Sequence, residues 1–514
     1  MGGVSTMIRE TERKYETNDA EPLPDPGKLL GLRAGSPPQE QQLEAVYFDT
    51  PDLRLLRARV TLRRREGGHD EGWHVKLPAG NDSRNEIQLP LTRDHRTPPP
   101  ELVSLTRLTT RGGELAPVAQ LNTHRRRWVL TDPRGRALAE LVEDEVSGHT
   151  MGSETRATSW REIEVELGEY GEPELLDRIE KKLLKAGARR SASSSKLRRV
   201  LAEELPAERG MATAVANAPA GSAGAAVLDY LRAQADTIRA NDLQVRRDVP
   251  DSVHQMRVAA RRMRSALQAY GKVIDREATR VLTGELKWLG AELSLARDTE
   301  VIAERLDETL AALPDELVLG PVAAQLTRSM QRRRAEGREA ALAALDSERY
   351  LNLHDSIDQL LLAAPYTARA RRPAHRELPA QARRSWRRTT KRMDAARDAP
   401  VGAERDAALH EARKAAKRLR YAVEVAEPHV GKPAKRTRRR LKELHSLLGA
   451  HQDAVVARPV IRALAVQAHL EGGNGFTYGV LHGLESSRAD EAERGIPAAW
   501  YRMTRRKTVK WLDG

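Results

Sequence analysis

Along residues 1–200, polar and apolar positions alternate in short runs, the period of two that a half-buried strand requires. Met7 to Glu16 places Glu10, Glu12 and Lys14 on one face. Ala45 to Asp49 reads as a strand that ends in a turn at Thr50-Pro51. From Arg57 to Arg65, the residues Arg57, Arg59, Thr61, Arg63 and Arg65 share one parity, and Val60 and Leu62 take the other. His74 and Lys76 alternate with Trp73, Val75 and Leu77, and Arg84 and Glu86 continue the scheme. So do Arg125 and Arg127 beside Trp128, then Glu140 and Asp144. In Trp160 to Leu167, Glu162, Glu164 and Glu166 oppose Ile163 and Val165. Residues 101–111 and 173–187 have helical spacing and read as packing elements.

The period changes after residues 203–222, a stretch of Ala, Gly, Pro and Glu that reads as a linker. From residue 223 long Ala-, Leu- and Arg-rich segments repeat every 3.6 residues, with turns marked by Pro250, Pro314, Pro373, Pro400 and Pro433. One pattern occurs twice. His254, Arg257, Arg261, Arg262 and Arg264 return as His410, Arg413, Lys417, Arg418 and Arg420 at an offset of 156. On a helix these cations form one stripe, opposite Met256, Ala259, Ala260, Met263 and Leu267 in the first copy and Ala412, Ala415, Ala416, Leu419 and Val423 in the second. Arg297-Asp298 and Gln452-Asp453 extend the repeat at an offset of 155, so each half spans several helices. Two cationic stripes kept in register predict a shared anionic ligand rather than two solvated faces.

Charge sharpens this division. Residues 1–200 carry 33 Lys and Arg against 32 Asp and Glu, whereas residues 201–514 carry 54 against 41. The basic half carries no aromatic residue on its cationic faces, and aromatics make up 4% of the chain. Readers of single strands and RNA stack bases on rings, so a polyanion without bases is the expected ligand and nucleic acid is not. There is no cysteine, which excludes disulfide and thiolate chemistry. The N-terminus lacks a signal-like apolar core and no membrane-length apolar run occurs, so a cytoplasmic protein is expected. Met1 to Thr6 matches the short N-myristoylation pattern, a match too cheap to predict acylation.

If the alternating sheet closes with its charged faces inward, it makes a tunnel lined by cations and carboxylates. The cations suit phosphate oxygens, and the carboxylates suit hard divalent metals such as Mg²⁺ or Mn²⁺. Together they describe phosphoanhydride hydrolysis. Glu10-Thr11-Glu12-Arg13-Lys14 resembles the ExExK signature of the CYTH domains, or triphosphate tunnel metalloenzymes. Tyr47 to Thr50, Leu62 to Arg65, Lys76, Arg84 to Glu86, Thr123 with Arg125, Asp144, Glu162 to Glu166 and Ser195-Lys196 follow in the family's order over residues 5–202. The resemblance implies an antiparallel barrel of about eight strands, with Lys14, Arg63, Arg65, Lys76, Arg84, Arg125 and Lys196 on phosphates and Arg127 beside them. It also implies metal held by Glu10, Glu12 and members of Glu162, Glu164 and Glu166, with Asp144 as a further ligand or partner. Val75 departs from the threonine that many members carry before the lysine.

The paired basic helices over residues 223–508 resemble the CHAD domain, which implies an all-α unit of two four-helix subdomains binding inorganic polyphosphate. The implied contacts are the ten repeated residues from His254 to Arg264 and from His410 to Arg420. Neither histidine has a second ligand at metal spacing on its face, and Asp298 and Asp453 read as orienting arginines. The runs at Arg383-Arg384, Arg387-Arg388, Lys391-Arg392 and Lys435 to Arg440, with Lys414, read mostly as solvated surface. The expected activity is metal-dependent hydrolysis of triphosphate or short polyphosphate, with association to polyphosphate granules as the corresponding location. The alternatives are a non-catalytic polyphosphate adaptor and a tunnel enzyme acting on nucleoside triphosphates as phosphohydrolase or cyclase.

Overall fold

The computed structural model describes residues 7–17, 26–27, 31–34, 37–80, 82–152, 154–205 and 218–513. The acylation-like pattern at Met1 to Thr6 and residues 206–217 of the expected linker lie outside them. The chain divides into two compact units, Met1–Gly210 and Met211–Gly514.

The first unit is a closed antiparallel barrel. Its circuit consists of β1 (Met7–Glu16), β3 (Gln39–Asp49), β4 (Thr61–Glu66), β5 (Gly72–Pro78), β6 (Ser83–Leu89), β7 (Ala116–Thr131), β8 (Ala137–Thr150) and β9 (Ala157–Leu167). They neighbour one another in the order β1-β6-β5-β4-β3-β7-β8-β9, and β9 returns to β1. Two short strands, β2 (Arg33–Ala34) and β10 (Arg189–Arg190), add to β7 and β1. Register keeps the charged faces in phase: Glu10 stands opposite Arg84, Glu12 opposite Glu166 and Lys14 opposite Glu164.

The outward parity is the core. Tyr15, Leu141, Ile163 and Val165 pack with Leu175, Leu176, Ile179 and Leu183 of helix α3 (Pro173–Lys185), whose proline at the start and lysines in the last turn suit a helix that ends there. At one end of the barrel the inward positions also turn apolar. Ala45, Tyr47, Ala119, Leu121, Val146 and Trp160 pack with Leu197 and Leu201 at helix α4 (Lys196–Val200), so this end is filled. The unit also carries helices α1 (Arg54–Arg57) and α2 (Pro100–Thr110).

One strand is shorter than its alternation predicts. Asp49 accepts the backbone N–H groups of Thr50, Leu55 and Leu56 at 2.7–2.9 Å, which folds the following residues into α1 with Leu55 and Leu56 buried. Arg57 ends that helix, Arg59 has φ +58°, and both are exposed. Neither faces the tunnel.

The second unit is all helix: α5 (Ala223–Arg246), α6 (Ser252–Ala269), α7 (Arg280–Glu292), α8 (Ser294–Ala311), α9 (Val322–Asp346), α10 (Glu348–Leu362), α11 (Ala374–Asp398), α12 (Ala403–Val430), α13 (Lys432–Leu470), α14 (Phe476–Thr504) and α15 (Arg506–Asp513). All five marking prolines fall at helix boundaries, as expected. The repeated motifs lie on α6 and α12 with their small apolar faces buried. The uninterrupted α13 covers positions that α7 and α8 divide in the first copy. The copies are not two separate cores: Ile302, Leu306, Leu326 and Met330 of the first pack with Ile461, Leu464 and Leu481 of the second. The unit also runs past residue 508, since Leu512 is buried and the Trp511 indole donates to Thr437 at 2.8 Å. At its start, Ser222 caps α5, so the end of the expected linker belongs to the helical unit. No helix among the described residues is long and apolar enough to cross a membrane.

Ile163 is fully buried under α3, and truncating such a side chain costs about 2–5 kcal/mol. Ile163→Ala should therefore lower the urea midpoint of the barrel's transition and leave the helical unit's transition in place, read by fluorescence and circular dichroism on the full chain.

Candidate active site and anion-binding helices

The inward positions of β1, β3–β9 and α4 enclose a cavity of about 510 Å³. Glu10, Glu12, Lys14, Arg63, Arg65, Lys76, Arg84, Arg125, Arg127, Glu164, Glu166 and Lys196 all line it, so the barrel brings these predicted residues together. Asp144 and Glu162 lie beneath Lys196, buried. Glu86, Glu140 and Asp70 also line the cavity; the first two were visible in the alternation, whereas Asp70 sits outside any strand and gave no signal.

Opposite charges meet throughout. Lys196 Nζ lies 2.9 Å from Asp144, 2.6 Å from Glu162 and 2.8 Å from Glu164. Arg125 grips both Asp144 oxygens at 2.8 and 2.7 Å and reaches Glu164 at 3.2 Å. Lys14 binds Glu164 and, at 3.2 Å, Glu12. Burial alone would raise the Glu164 carboxyl, but Lys14, Lys196 and Arg125 hold it well below the usual range. Lys76 pairs with Glu10, Arg65 with Asp70, and Arg127 with Glu140 at 2.5 Å. His74 is held between Glu86 at 2.6 Å and the Asp70 carbonyl at 2.9 Å.

The compensation is uneven. Burial pushes Glu10 up to about 8, aided by its hydrogen bond with Glu86 and opposed by Lys76. Burial likewise pushes Glu166 up to about 7, with Lys76 opposing and Glu12, Glu140 and Glu164 adding repulsion. Asp144, Glu162 and Glu164 bring ligand atoms within 4.8 Å of one another, but Lys196 stands among them as their cation. Glu10 and Glu166 are shorter of positive charge than Glu12, whose carboxyl Lys14, Lys76 and Arg84 hold below its usual range despite burial, and the all-oxygen donors of the three fit a hard divalent cation.

In the helical unit the two motifs make parallel contacts. Arg257 reaches Asp298 at 3.3 Å and the Ser294 carbonyl at 3.2 Å, and Arg413 faces Asp453 at 3.6 Å. His410 Nδ1 donates to Gln452 at 2.6 Å. His254 has Arg297 as its neighbour instead, and burial with Arg297 lowers its pKa. Arg261 donates to Tyr421 at 3.1 Å, which joins α6 to α12. Arg262 and Arg420 are drawn to Glu424, each at 3.3 Å, so a carboxylate already neutralises part of these two. Arg264 and Arg418 form a second cationic group with Arg388 and Arg276, and burial lowers the pKa of both. Of the basic runs, Arg383 binds the Leu512 carbonyl, Lys414 pairs with Glu411 and Arg440 with Glu443. Sequence reasoning missed Tyr421 and Glu424, whose only signal was helical distance from the motif, and His445, which lies on α13 and gave none.

A CYTH domain model matches residues 9–201 and a CHAD domain model residues 229–462. Uncharacterized protein MT2285 and Uncharacterized protein Rv2226, from Mycobacterium tuberculosis strains CDC 1551 / Oshkosh and ATCC 25618 / H37Rv, are each 36% identical over 503 residues, covering 95% of this chain and 95% of their own. The CHAD domain from the plant Ricinus communis is 28% identical with a TM-score of 0.43, covering 56% of this chain and 95% of its own.

Lys196→Met removes the shared cation of three buried carboxylates, and breaking such a pairing costs about 3–5 kcal/mol. The variant should unfold at lower urea at pH 7.5, and the deficit should shrink as pH falls toward about 4, where the stranded carboxyls take protons. In the wild type, Glu164's depressed pKa stabilises the fold above the ordinary carboxyl value, and that contribution is lost as pH falls through the folded value. Urea titrations of both proteins across that range check both signs.

Proposed function

The chain belongs to the family that joins a CYTH domain to a CHAD domain, and from that membership we propose that its tunnel hydrolyses inorganic triphosphate or short polyphosphate with a divalent metal, while its helical unit binds inorganic polyphosphate. A CYTH domain is a triphosphate tunnel enzyme, with hydrolase or cyclase activity, and uses divalent metal. The narrower reading rests on one observation above all: cations and carboxylates interleave around a single cavity closed by apolar packing at one end.

Arg63, Arg65, Arg84, Arg125 and Arg127 present planar donors to phosphate oxygens, and Lys14, Lys76 and Lys196 supply point charges between them. Water attacks a phosphorus, the bridging P–O bond breaks, and the leaving phosphate's new charge falls among these cations. A carboxylate of the inward row accepts the water's proton. Glu10, Glu12 and Glu166 would hold the metal, which when bound neutralises phosphate oxygens as a Lewis acid. Among the described lining residues the rings are those of Tyr47 and His69. Tyr47 is buried at the filled end, which favours a substrate without a base over a nucleotide.

For the helical unit, support comes from fixed positive charge in excess of its carboxylate partners, Asp298, Asp453 and Glu424. The buried Nε atom of Arg413 has no hydrogen-bond acceptor, and Arg257 and Arg413 are each lowered in pKa, chiefly by burial. Bound phosphate oxygens would satisfy both demands.

Phosphate release from tripolyphosphate, polyphosphate and ATP, with and without Mg²⁺ or Mn²⁺, tests the enzymatic half. Glu12→Gln should lower metal-dependent release about 100-fold or more, with tripolyphosphate the preferred substrate. Absence of release from all three in the wild type would return the barrel to a binding role. Charge reversal at Arg257 and Arg413 together should weaken polyphosphate binding by the full chain at least about tenfold at matched salt. Unchanged affinity would assign those arginines to solvated surface.

A further inference from the structure

The two copies of the basic motif differ where they meet. Arg261 of α6 corresponds to Lys417 of α12 at an offset of 156, and Gly290 corresponds to His445 at 155. Around Lys417 stand Arg261 from α6, Arg413 and Arg420 from its own helix, and His445 and Asp453 from α13. The carboxylate that opposes this crowding, Asp453, already faces Arg413 at 3.6 Å. Arg420 turns to Glu424, and Arg257 of α6 to Asp298 of α8. Of the other helices packed on α12, α11 offers Arg388 to Arg418, and Tyr230 of α5 donates to Glu424 at 3.1 Å. Guanidinium groups cannot relieve such crowding by losing a proton, whereas an ammonium can.

We infer that Lys417 is the proton-labile member of this anion-binding groove, uncharged among fixed guanidiniums when the groove is empty and protonated when a phosphate chain lies in it. The inference rests on reading the helical unit as a polyphosphate binder. Burial, with Arg261 and Arg413, pushes Lys417 down to about 6, and Asp453 only partly opposes them. Burial, the largest cause, pushes His445 down to about 3, so the imidazole stays neutral beside Lys417. A phosphate oxygen among these groups favours the ammonium and raises its pKa. Above pH 6, therefore, binding carries a proton from solvent onto Lys417 Nζ. Affinity then falls about tenfold for each pH unit until the pKa of the bound state is reached.

The test is calorimetric titration of the full chain with long-chain inorganic polyphosphate in chelator-containing solution at pH 7.5, in two buffers of different ionisation enthalpy. Lys417→Arg keeps the charge and removes the titration, and the ligand's own phosphate titration cancels in the comparison. The wild type should take up about one proton more per occupied groove than the variant, and its affinity should decline more steeply between pH 6.5 and 7.5. Lys417→Gln should bind weakly with the variant's shallow pH dependence. Equal proton uptake and equal pH slopes in wild type and Lys417→Arg would overturn the inference and leave polyphosphate binding intact. A wild type that binds no polyphosphate would remove the binding reading and the inference with it.

Discussion

Closing a sheet into a barrel obliges every inward charge to find its partner inside a space that water reaches poorly, and the first unit is built around that constraint. Strand pairing sets Glu12 against Glu166, and Glu166 in turn against Glu140, where like charges would repel. The fold survives because cations reach these carboxylates: Lys14 from β1 itself, Arg125 from β7, Lys76 from β5 and Lys196 from α4. The network is thus a condition of folding as much as an arrangement for binding. Its weakest region, at Glu10 and Glu166, carries the carboxyls that burial raises most clearly.

The helical unit meets a different constraint with the opposite charge balance. Its basic stripes sit on helices whose far faces are alanine and methionine on α6 and alanine, leucine and valine on α12, and the two helices meet where Arg261 donates to Tyr421 and Tyr270 to the Ala422 carbonyl, which brings two sets of cations to one place. Helix–helix packing is carried mainly by the small and aliphatic residues, and of the motif's cations it engages Arg261 with Tyr421 and Arg262 with Glu424. The surplus is left for a ligand. A tunnel close to internal neutrality suits chemistry on a small anion, whereas a surplus of fixed cations suits retention of a long one.

Much of the barrel was readable because a period of two assigns each residue to a face without knowledge of its neighbours. Ile163 and Glu164 went to opposite sides on that basis, and they lie there. Arg57 and Arg59 were misassigned because Asp49 captures three backbone N–H groups and turns the chain into a helix, a local competition that parity does not register. Which late glutamates are free of cations was not readable either. The answer depends on Lys196, which reaches them from a helix some thirty residues further on. In the helical half the repeat revealed the cationic stripes but not the shared core, since periodicity says which face is apolar and not which helix covers it. His445 escaped for the same reason: its role comes from the packing of α13 on α12.

The ion pairs that let the tunnel fold also determine how it must give way. A phosphate chain that attracts Lys14 and Lys76 competes with Glu12, Glu164 and Glu10 for the same ammonium groups. Each cation exchanges one oxyanion partner for another, so the net gain per contact is small even though the gross interaction in a low-dielectric site is large. The exchange leaves the β1 carboxylates without their cations, and a divalent ion is the partner that can restore the balance. On the proposed reading, substrate and metal are therefore linked: each relieves a charge that the other uncovers. The ExExK strand places both kinds of group on one face, two residues apart, where that exchange is shortest.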